Sequence, residues 1–374
     1  MTVVQVLPTL EMGGVERGTL EVARRLIREG HRSIVISGGG RMVEQLQVEG
    51  STHLSWDVGA KRLATLRWIP RFRRFLRDTR PDVLHLRSRL PAWIAYQAWK
   101  GLPPAERPAL VTTVHGFYTP GLYSSVMIRG ERIIAISAAV REHVLRHYPW
   151  VDATRIRVIH RGVDPEAYPY GYTPAAVWLE EWHARHPELR GQYVLTLPAR
   201  LSRWKGQEDF IAIIAALRQR GVPAHGLLVG GTHPHKRHYE MELRALIEAQ
   251  GLNDVVTLLG HRNDLREIMA VSSVVLSLSR DPEAFGRVSL EALSLGRPVV
   301  AYDHGGVGEQ LAEILPVGRV LVGDQGAVVE RLQAWYGTPP RVPDQQPFTL
   351  ERMLTATLKV YRDAVTARDG IVNG

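Results

Sequence analysis

The feature that most constrains this chain is an alternation that runs twice. Short, continuous runs of β-branched and aliphatic residues are each followed by a turn and then a stretch with helical spacing. The first run, Val3–Leu7, ends at Pro8. A Gly-containing loop then opens a helical stretch from Val15 to about Glu29, closed by Gly30. Further runs follow at Ser33–Ser37, His53–Trp56, Val83–Leu86, Leu110–Val114, Arg132–Ile136 and Ile156–Ile159. Runs without polar alternation suit strands buried on both faces, and strands separated by helices specify a parallel sheet. Between Asp164 and Gly191 the pattern breaks, with prolines at 165, 169, 174 and 187 and one short helix expected over Ala175–His186. It restarts at Val194–Pro198 and continues through Gly226–Val229, Val255–Leu259, Ser273–Leu278, Pro298–Tyr302 and Arg319–Val322. The expected fold class is α/β, with two doubly wound parallel sheets in series. The expected boundaries are 1–165, 166–347 and a final helix, 348–374, crossing back to the first domain.

Two domains agree with a length of 374 residues. No apolar run reaches the roughly 20 residues a membrane span needs, and the start lacks the features of a signal peptide. The chain has no cysteine, which excludes disulfides, thiolate metal sites and cysteine nucleophiles. A cytoplasmic location is expected. The net charge of +9 calls for an anionic partner. Much of it is concentrated in KRLATLRWIPRFRRFLRDTR at 61–80, where Leu63, Leu66, Ile69, Phe72, Phe75 and Leu76 recur at helical spacing. That segment reads either as a helix packed on the first sheet with solvated arginines, or as a surface that also attracts anionic lipid through Arg67, Arg71, Arg73, Arg74 and Arg77. Pro70 argues against one straight helix throughout. Nucleic acid is not an expected partner, because no binding motif or aromatic–basic platform accompanies the charge.

In open α/β sheets ligands lie beyond the carboxyl ends of the strands, so two such domains would share a cleft. A dinucleotide oxidoreductase is disfavoured: the first loop reads GGVERG rather than G-x-G-x-x-G, and the second strand ends in SGGG without an acidic residue. Gly13 and Gly14 either make a tight turn or let backbone N–H groups approach a phosphate. After the first strand of the second half, Arg200 and Lys205 could neutralise a departing diphosphate, or simply be a solvated strand end. The segment DPEAFGRVSLEALSLGRPVVAYDHGGVGE at 281–309 carries Glu283 and Glu291 across an expected loop-to-helix junction near Gly286, where free N–H groups would favour an anion. Glu309 follows a Gly-rich loop at 305–308. Other histidines carry less: His233, His235 and His238 read as a polar loop, and His143 with His147 as a helix surface.

Taken together, Gly13–Gly14, TVHG at 113–116, HRGVD at 160–164, PARLSRWKG at 198–206 and PEAFGRVSLEALSLGRPVVAYDHGGVGE resemble the GT-B glycosyltransferases of family GT4. The segments GGVERGTLEVARRL and HLRSRLPAW, with the run from RIIAIS to RIRVIHRGVD, look most like lipopolysaccharide-core enzymes of that family. The resemblance implies two Rossmann-like domains, an acceptor-binding one and a nucleotide-sugar-binding one. It also implies a retaining hexosyl transfer from a UDP-glucose or GDP-mannose type donor to a glycan or lipid-linked acceptor. Arg200 and Lys205 would hold the diphosphate with help from Gly14. Glu283 and the N–H groups of Phe285 and Gly286 would meet the sugar hydroxyls, Glu291 the ribose, and His115 would sit near the reacting sugar. Glu309 would lie close to the donor. Front-face and double-displacement mechanisms both remain open. No Asp-x-Asp occurs, so activity without metal or other cofactor is expected. A peripheral position on the cytoplasmic face of the inner membrane would follow from the basic segment. A nucleotide-sugar epimerase and a basic lipid- or nucleic-acid-binding protein are the alternatives. Pro198 stands where the family more often has Gly, and His304 precedes the glycines.

Overall fold

A computed structural model of the chain describes residues 1–11, 13–232 and 237–372. The chain divides into two compact units, residues 1–162 joined by the segment from Glu351 onward, and Val163–Leu350.

In the first unit seven runs form β1 (Thr2–Val6), β2 (Arg32–Ser37), β3 (Thr52–Ser55), β4 (Val83–Leu86), β5 (Ala109–Val114), β6 (Arg132–Ala135) and β7 (Ile156–Val158). They pair in the order β3-β2-β1-β4-β5-β6-β7, and every pairing is parallel. The strand order reverses between β1 and β4, which makes the carboxyl ends of those two strands the switch point where ligands of such sheets bind. Helices α1 (Gly14–Arg28), α2 (Val43–Val48), α3 (Trp68–Thr79), α4 (Arg89–Lys100) and α5 (Ala138–His147) connect the strands. Ser137 caps α5 by accepting from Val140 N–H at 3.1 Å. The basic segment is two pieces, a 3₁₀ turn over Leu63–Arg67 and then α3, with Pro70 in its first turn, where a missing N–H does no harm. Its arginines do not share one environment: Arg71 stacks on Trp56 and Trp68, and Arg73 is half-buried against Gly101.

The second unit repeats the plan with β8 (Tyr193–Pro198), β9 (Ala224–Val229), β10 (Val256–Gly260), β11 (Val274–Ser277), β12 (Val299–Tyr302) and β13 (Arg319–Val320), in the order β10-β9-β8-β11-β12-β13. All are parallel, and the switch falls between β8 and β11. Its helices are α6 (Ala176–Arg185), α7 (Gln207–Gln219), α8 (Arg237–Ala249), α9 (Leu265–Val271), α10 (Arg287–Ser294), α11 (Gly305–Ile314) and α12 (Gln325–Trp335). One expectation is corrected. Gly305–Gly308 is not a loop before a helix at Glu309 but the first turn of α11 itself.

The last helix, α13 (Leu350–Val372), belongs almost wholly to the first unit. There Glu351 pairs with Arg25 at 2.7 Å and Arg362 with Glu29 at 2.8 Å. The fully buried Tyr361 hydroxyl meets His85 Nδ1 at 2.6 Å. No helix among the described residues is long and apolar enough to cross a membrane.

Candidate functional site

The switch point of the second sheet collects Lys205, Glu283 and Gly286 of the expected residues. Beyond β8 the chain turns through a 3₁₀ segment, Arg203–Lys205, and beyond β11 it runs through Ser279 to Glu283 before α10. Lys205 Nζ lies 2.7 Å from Glu283 Oε1, and Ser279 Oγ donates to the same oxygen at 2.6 Å. The ammonium also sits 4.1 Å from the centre of the Trp204 ring, so it is held from two sides. His304 Nε2–H donates to the carbonyl of Ser279 at 2.7 Å and fixes the start of this loop.

A second layer ties the two loops to each other. Arg280 N–H donates to the carbonyl of Trp204 at 2.7 Å, and its guanidinium pairs with Asp209 on α7. Asp209 is 1% exposed, and it also accepts from Tyr302 at 2.9 Å and Gln325 at 2.7 Å. Burial raises the cost of that carboxylate, but the three donors outweigh it and hold its pKa below the usual carboxylate range. Gly206 has φ +78°, and a Cβ there would come within 2.1 Å of the Leu278 carbonyl, so the Lys205 loop passes β11 at a distance only glycine permits.

The Gly-rich turn has a structural reason too. Gly306 N–H donates to the carbonyl of Glu283 at 2.8 Å, which satisfies an N-terminal donor of α11. A Cβ on Gly306 would lie 2.4 Å from Phe285 Cα. Gln310 from the next turn donates to the carbonyls of Phe285 and Gly286. Gly286 takes φ +80° as the cap of α10, and Glu291, one turn in, is 5% exposed with Arg287 Nε 3.9 Å away. Glu309 is half-buried within α11, just past its first turn.

The expected Arg200–Lys205 pair is not assembled as a pair. Lys205 is committed to Glu283, whereas Arg200 is exposed, with its carbonyl accepting from Gln207 at 3.0 Å. The space enclosed among Pro198, Lys205, Ser279, Glu283, Gly286 and Ser289 is only about 40 Å³, room for a water or two. A larger cavity, about 440 Å³, lies at the opposite ends of the strands beside Tyr193, Ser273 and Pro298, away from every expected site residue.

Gly13, Gly14 and His115 belong to the first unit, at the carboxyl ends of its strands. Gly13 and Gly14 open α1 after β1. His115 follows β5 directly, and its Nδ1 lies 2.6 Å from Arg161 Nη2. Arg87, just past β4 and 1% exposed, donates to Gln5 of β1 at 2.8 Å. Burial, and after it the charges of Arg161, Arg87 and His85, hold the His115 pKa well below the usual histidine range. Sequence reasoning did not single out Arg87, Arg161, Ser279, Asp209 or Gln310. Arg161 stood within HRGVD, a segment noted only for its likeness to the family. His143 and His147 serve local bonds, to the carbonyls of Tyr118 and His143. His233 and His235 lie outside the described residues. Among the described residues no three His, Cys, Asp or Glu side chains cluster as metal ligands would.

Residues 12–167 match the family described as Glycosyltransferase Family 4, and residues 179–334 match Glycosyl transferases group 1. The chain is similar to a D-inositol 3-phosphate glycosyltransferase of Arthrobacter sp. (strain FB24), 28% identical over 247 residues that cover 63% of this chain and 56% of the relative. It spans about half the length of the curated relatives it matches. A glycosyltransferase from Rickettsia africae ESF-5 superposes with TM-score 0.84 at 26% identity, covering 97% of this chain and 98% of that one. Anabaena Alr3699/HepE in complex with UDP and glucose superposes with TM-score 0.73 at 20% identity, covering 100% and 98%.

Proposed function

Because the chain belongs to the group 1 glycosyl transferases of glycosyltransferase family 4, we propose that it moves a hexosyl group from a nucleoside-diphosphate sugar to a hydroxyl of a glycan or glycolipid, with retention and without a metal ion. The observation that carries this reading is the Lys205–Glu283–Ser279 cluster at the switch point of the second sheet, beside the start of α10. Breaking the bond between the anomeric carbon and the diphosphate leaves negative charge on the departing oxygen. Lys205, with Arg200 swung in, would stabilise it. With no Asp-x-Asp to clamp a divalent ion, these cations would do the neutralising. The anomeric carbon bonds to the acceptor oxygen as that hydroxyl proton passes to the leaving diphosphate. Glu283 and the N–H groups of Phe285 and Gly286 would orient the sugar hydroxyls. Glu291 would take the ribose diol through its two acceptor oxygens, and Glu309 would border the donor.

UDP-glucose is the donor to try first, since the Anabaena relative was solved with UDP and glucose. A lipopolysaccharide-core type acceptor is supported by the sequence likeness and by one surface feature. Leu63 is 87% and Leu66 56% exposed among Lys61, Arg62 and Arg67, a composition suited to an anionic bilayer.

Nucleoside diphosphate released from UDP-glucose, GDP-mannose or ADP-glucose only when a glycan or glycolipid acceptor is present is the expected result. A changed nucleotide sugar with no release would instead mean epimerisation. Activity lost in EDTA and restored by manganese would overturn the metal-free clause. Glu291→Ala should weaken nucleotide binding by calorimetry about 10-fold or more, as expected when charge-assisted hydrogen bonds are lost. Liposome flotation should show binding to anionic vesicles that Leu63→Gln with Leu66→Gln removes; equal binding by both would exclude the segment.

A further inference from the structure

Arg161 has no role in the proposed transfer, yet it contacts the histidine expected near the sugar directly. Its Nη2 lies 2.6 Å from His115 Nδ1. A guanidinium has five N–H donors and no acceptor, so His115 Nδ1 must be the acceptor and carry no proton. A protonated imidazolium would set N–H against N–H at that distance. His115 is therefore neutral, and its one ring proton is on Nε2. That Nε2 is buried and has no partner among the described residues, so the ring presents a donor to which a bound molecule could supply the acceptor.

The surroundings reinforce this arrangement. Arg87 lies past β4, His85 within β4, and Tyr118 accepts the backbone N–H of His115 at 3.3 Å. His85 is itself engaged on both nitrogens, by Tyr361 at 2.6 Å and Thr113 at 2.7 Å. Arg161 is held from the other side by Met353 Sδ on α13 at 3.8 Å. Helix α1 makes room for both guanidiniums. A Cβ on Gly18 would stand 3.1 Å from Arg87 Nη2 and 3.3 Å from Arg161 Nη1, so a side chain there would press on the pair.

We propose that Arg161 is a positioning residue that occupies Nδ1 of His115, holds the ring as the neutral Nε2–H form, and so makes His115 a hydrogen-bond donor to a substrate oxygen rather than a proton acceptor. The statement about the ring stands on the first unit alone; the statement about substrate rests on the glycosyl-transfer reading.

Long-range ¹H–¹⁵N correlation on the full chain labelled with ¹⁵N-histidine tests it, with His115→Gln identifying the resonance. The wild type should show protonated Nε2 and bare Nδ1 at pH 7 and stay so well below the ordinary histidine value of about 6.5. In Arg161→Met the Nδ1–H form should appear, and the ring should titrate nearer the ordinary value of about 6.5. Arg161→Lys, which keeps a donor and a charge, should restore the Nε2–H form. With UDP-glucose, kcat/KM should fall about 10- to 100-fold in Arg161→Met, by analogy with metal-bound histidines that lose their second hydrogen-bond partner, and largely recover in Arg161→Lys. A wild-type ring protonated at Nδ1 at pH 7, or a tautomer and titration unchanged in Arg161→Met, overturns the proposal. The wild-type spectrum decides even if Arg161→Met fails to fold. If the spectra agree but no nucleotide sugar is turned over, the glycosyl-transfer reading fails and the role of Arg161 toward His115 stands.

Discussion

Both sheets place polar side chains at or beyond the carboxyl ends of their strands, but they handle charge differently. In the first unit Arg87 and Arg161 are buried among histidines kept neutral. In the second, the cations at the switch meet carboxylates: Lys205 has Glu283, and the half-exposed Arg280 has the buried Asp209. The same architecture thus carries buried guanidiniums beside neutral histidines in one case and a network of paired ions in the other. The difference teaches that topology fixes where a site lies, whereas local burial decides which charge states it can hold.

The largest effect that would break the comparison is at Lys205. Lys205→Ala should lower kcat by about 10²- to 10³-fold in a nucleotide-release assay, the scale seen when one preorganised charge-stabilising donor is removed. It should leave the first unit's hydrogen exchange unchanged. A loss under threefold would mean the ion pair only supports the loop.

Acid should separate the units next. Among the described residues four histidines of the first unit, His31, His53, His85 and His115, have pKa values lowered chiefly by burial, against His225 alone in the second. Below about pH 6.5 the unfolded chain takes up protons on these rings and the folded chain does not, so stability is complete above that pH and falls as pH drops. Each ring held neutral by burial loses its contribution progressively as pH falls through that range. Asp209, whose pKa is depressed, stabilises the second unit above about pH 4 and fails only as pH falls further. Peptide-resolved hydrogen exchange at pH 7 and 5.5 should show the first unit loosening first. Simultaneous loosening, or the second unit leading, would contradict the contrast.

The smallest effect is at Tyr361. Tyr361→Phe removes the partner of His85 Nδ1 inside the first unit and should cost about 1–2 kcal/mol in urea denaturation. Arg280→Lys in the second, where the charge is retained, should cost less. The reverse order would indicate that the buried hydrogen bond is the weaker constraint.

The repeated alternation of apolar runs and helical spacing was legible in the sequence because the central strands, such as β4, β5, β9 and β12, are buried along their whole length. Glu283, Gly286 and Glu291 could be read together because they are neighbours along the chain. What could not be read is set by distance in sequence. Lys205 meets Glu283, and Arg161 meets His115, only after the sheet has aligned their strands. Gly305–Gly308 misled for another reason. Glycines argue locally for a loop, but the carbonyl of Glu283 caps them as a helix and the backbone at Phe285 leaves no room for side chains.

The return of α13 to the first unit bears on the order in which the molecule can be completed. Tyr361, which closes over His85 beneath the first sheet, is made after all of Val163–Leu350. During synthesis the first sheet can align early, but His85 waits for its partner while the whole second unit emerges. A ribosome stalled before residue 350 would therefore carry a first unit with an open flank, the moment at which a chaperone has most to protect.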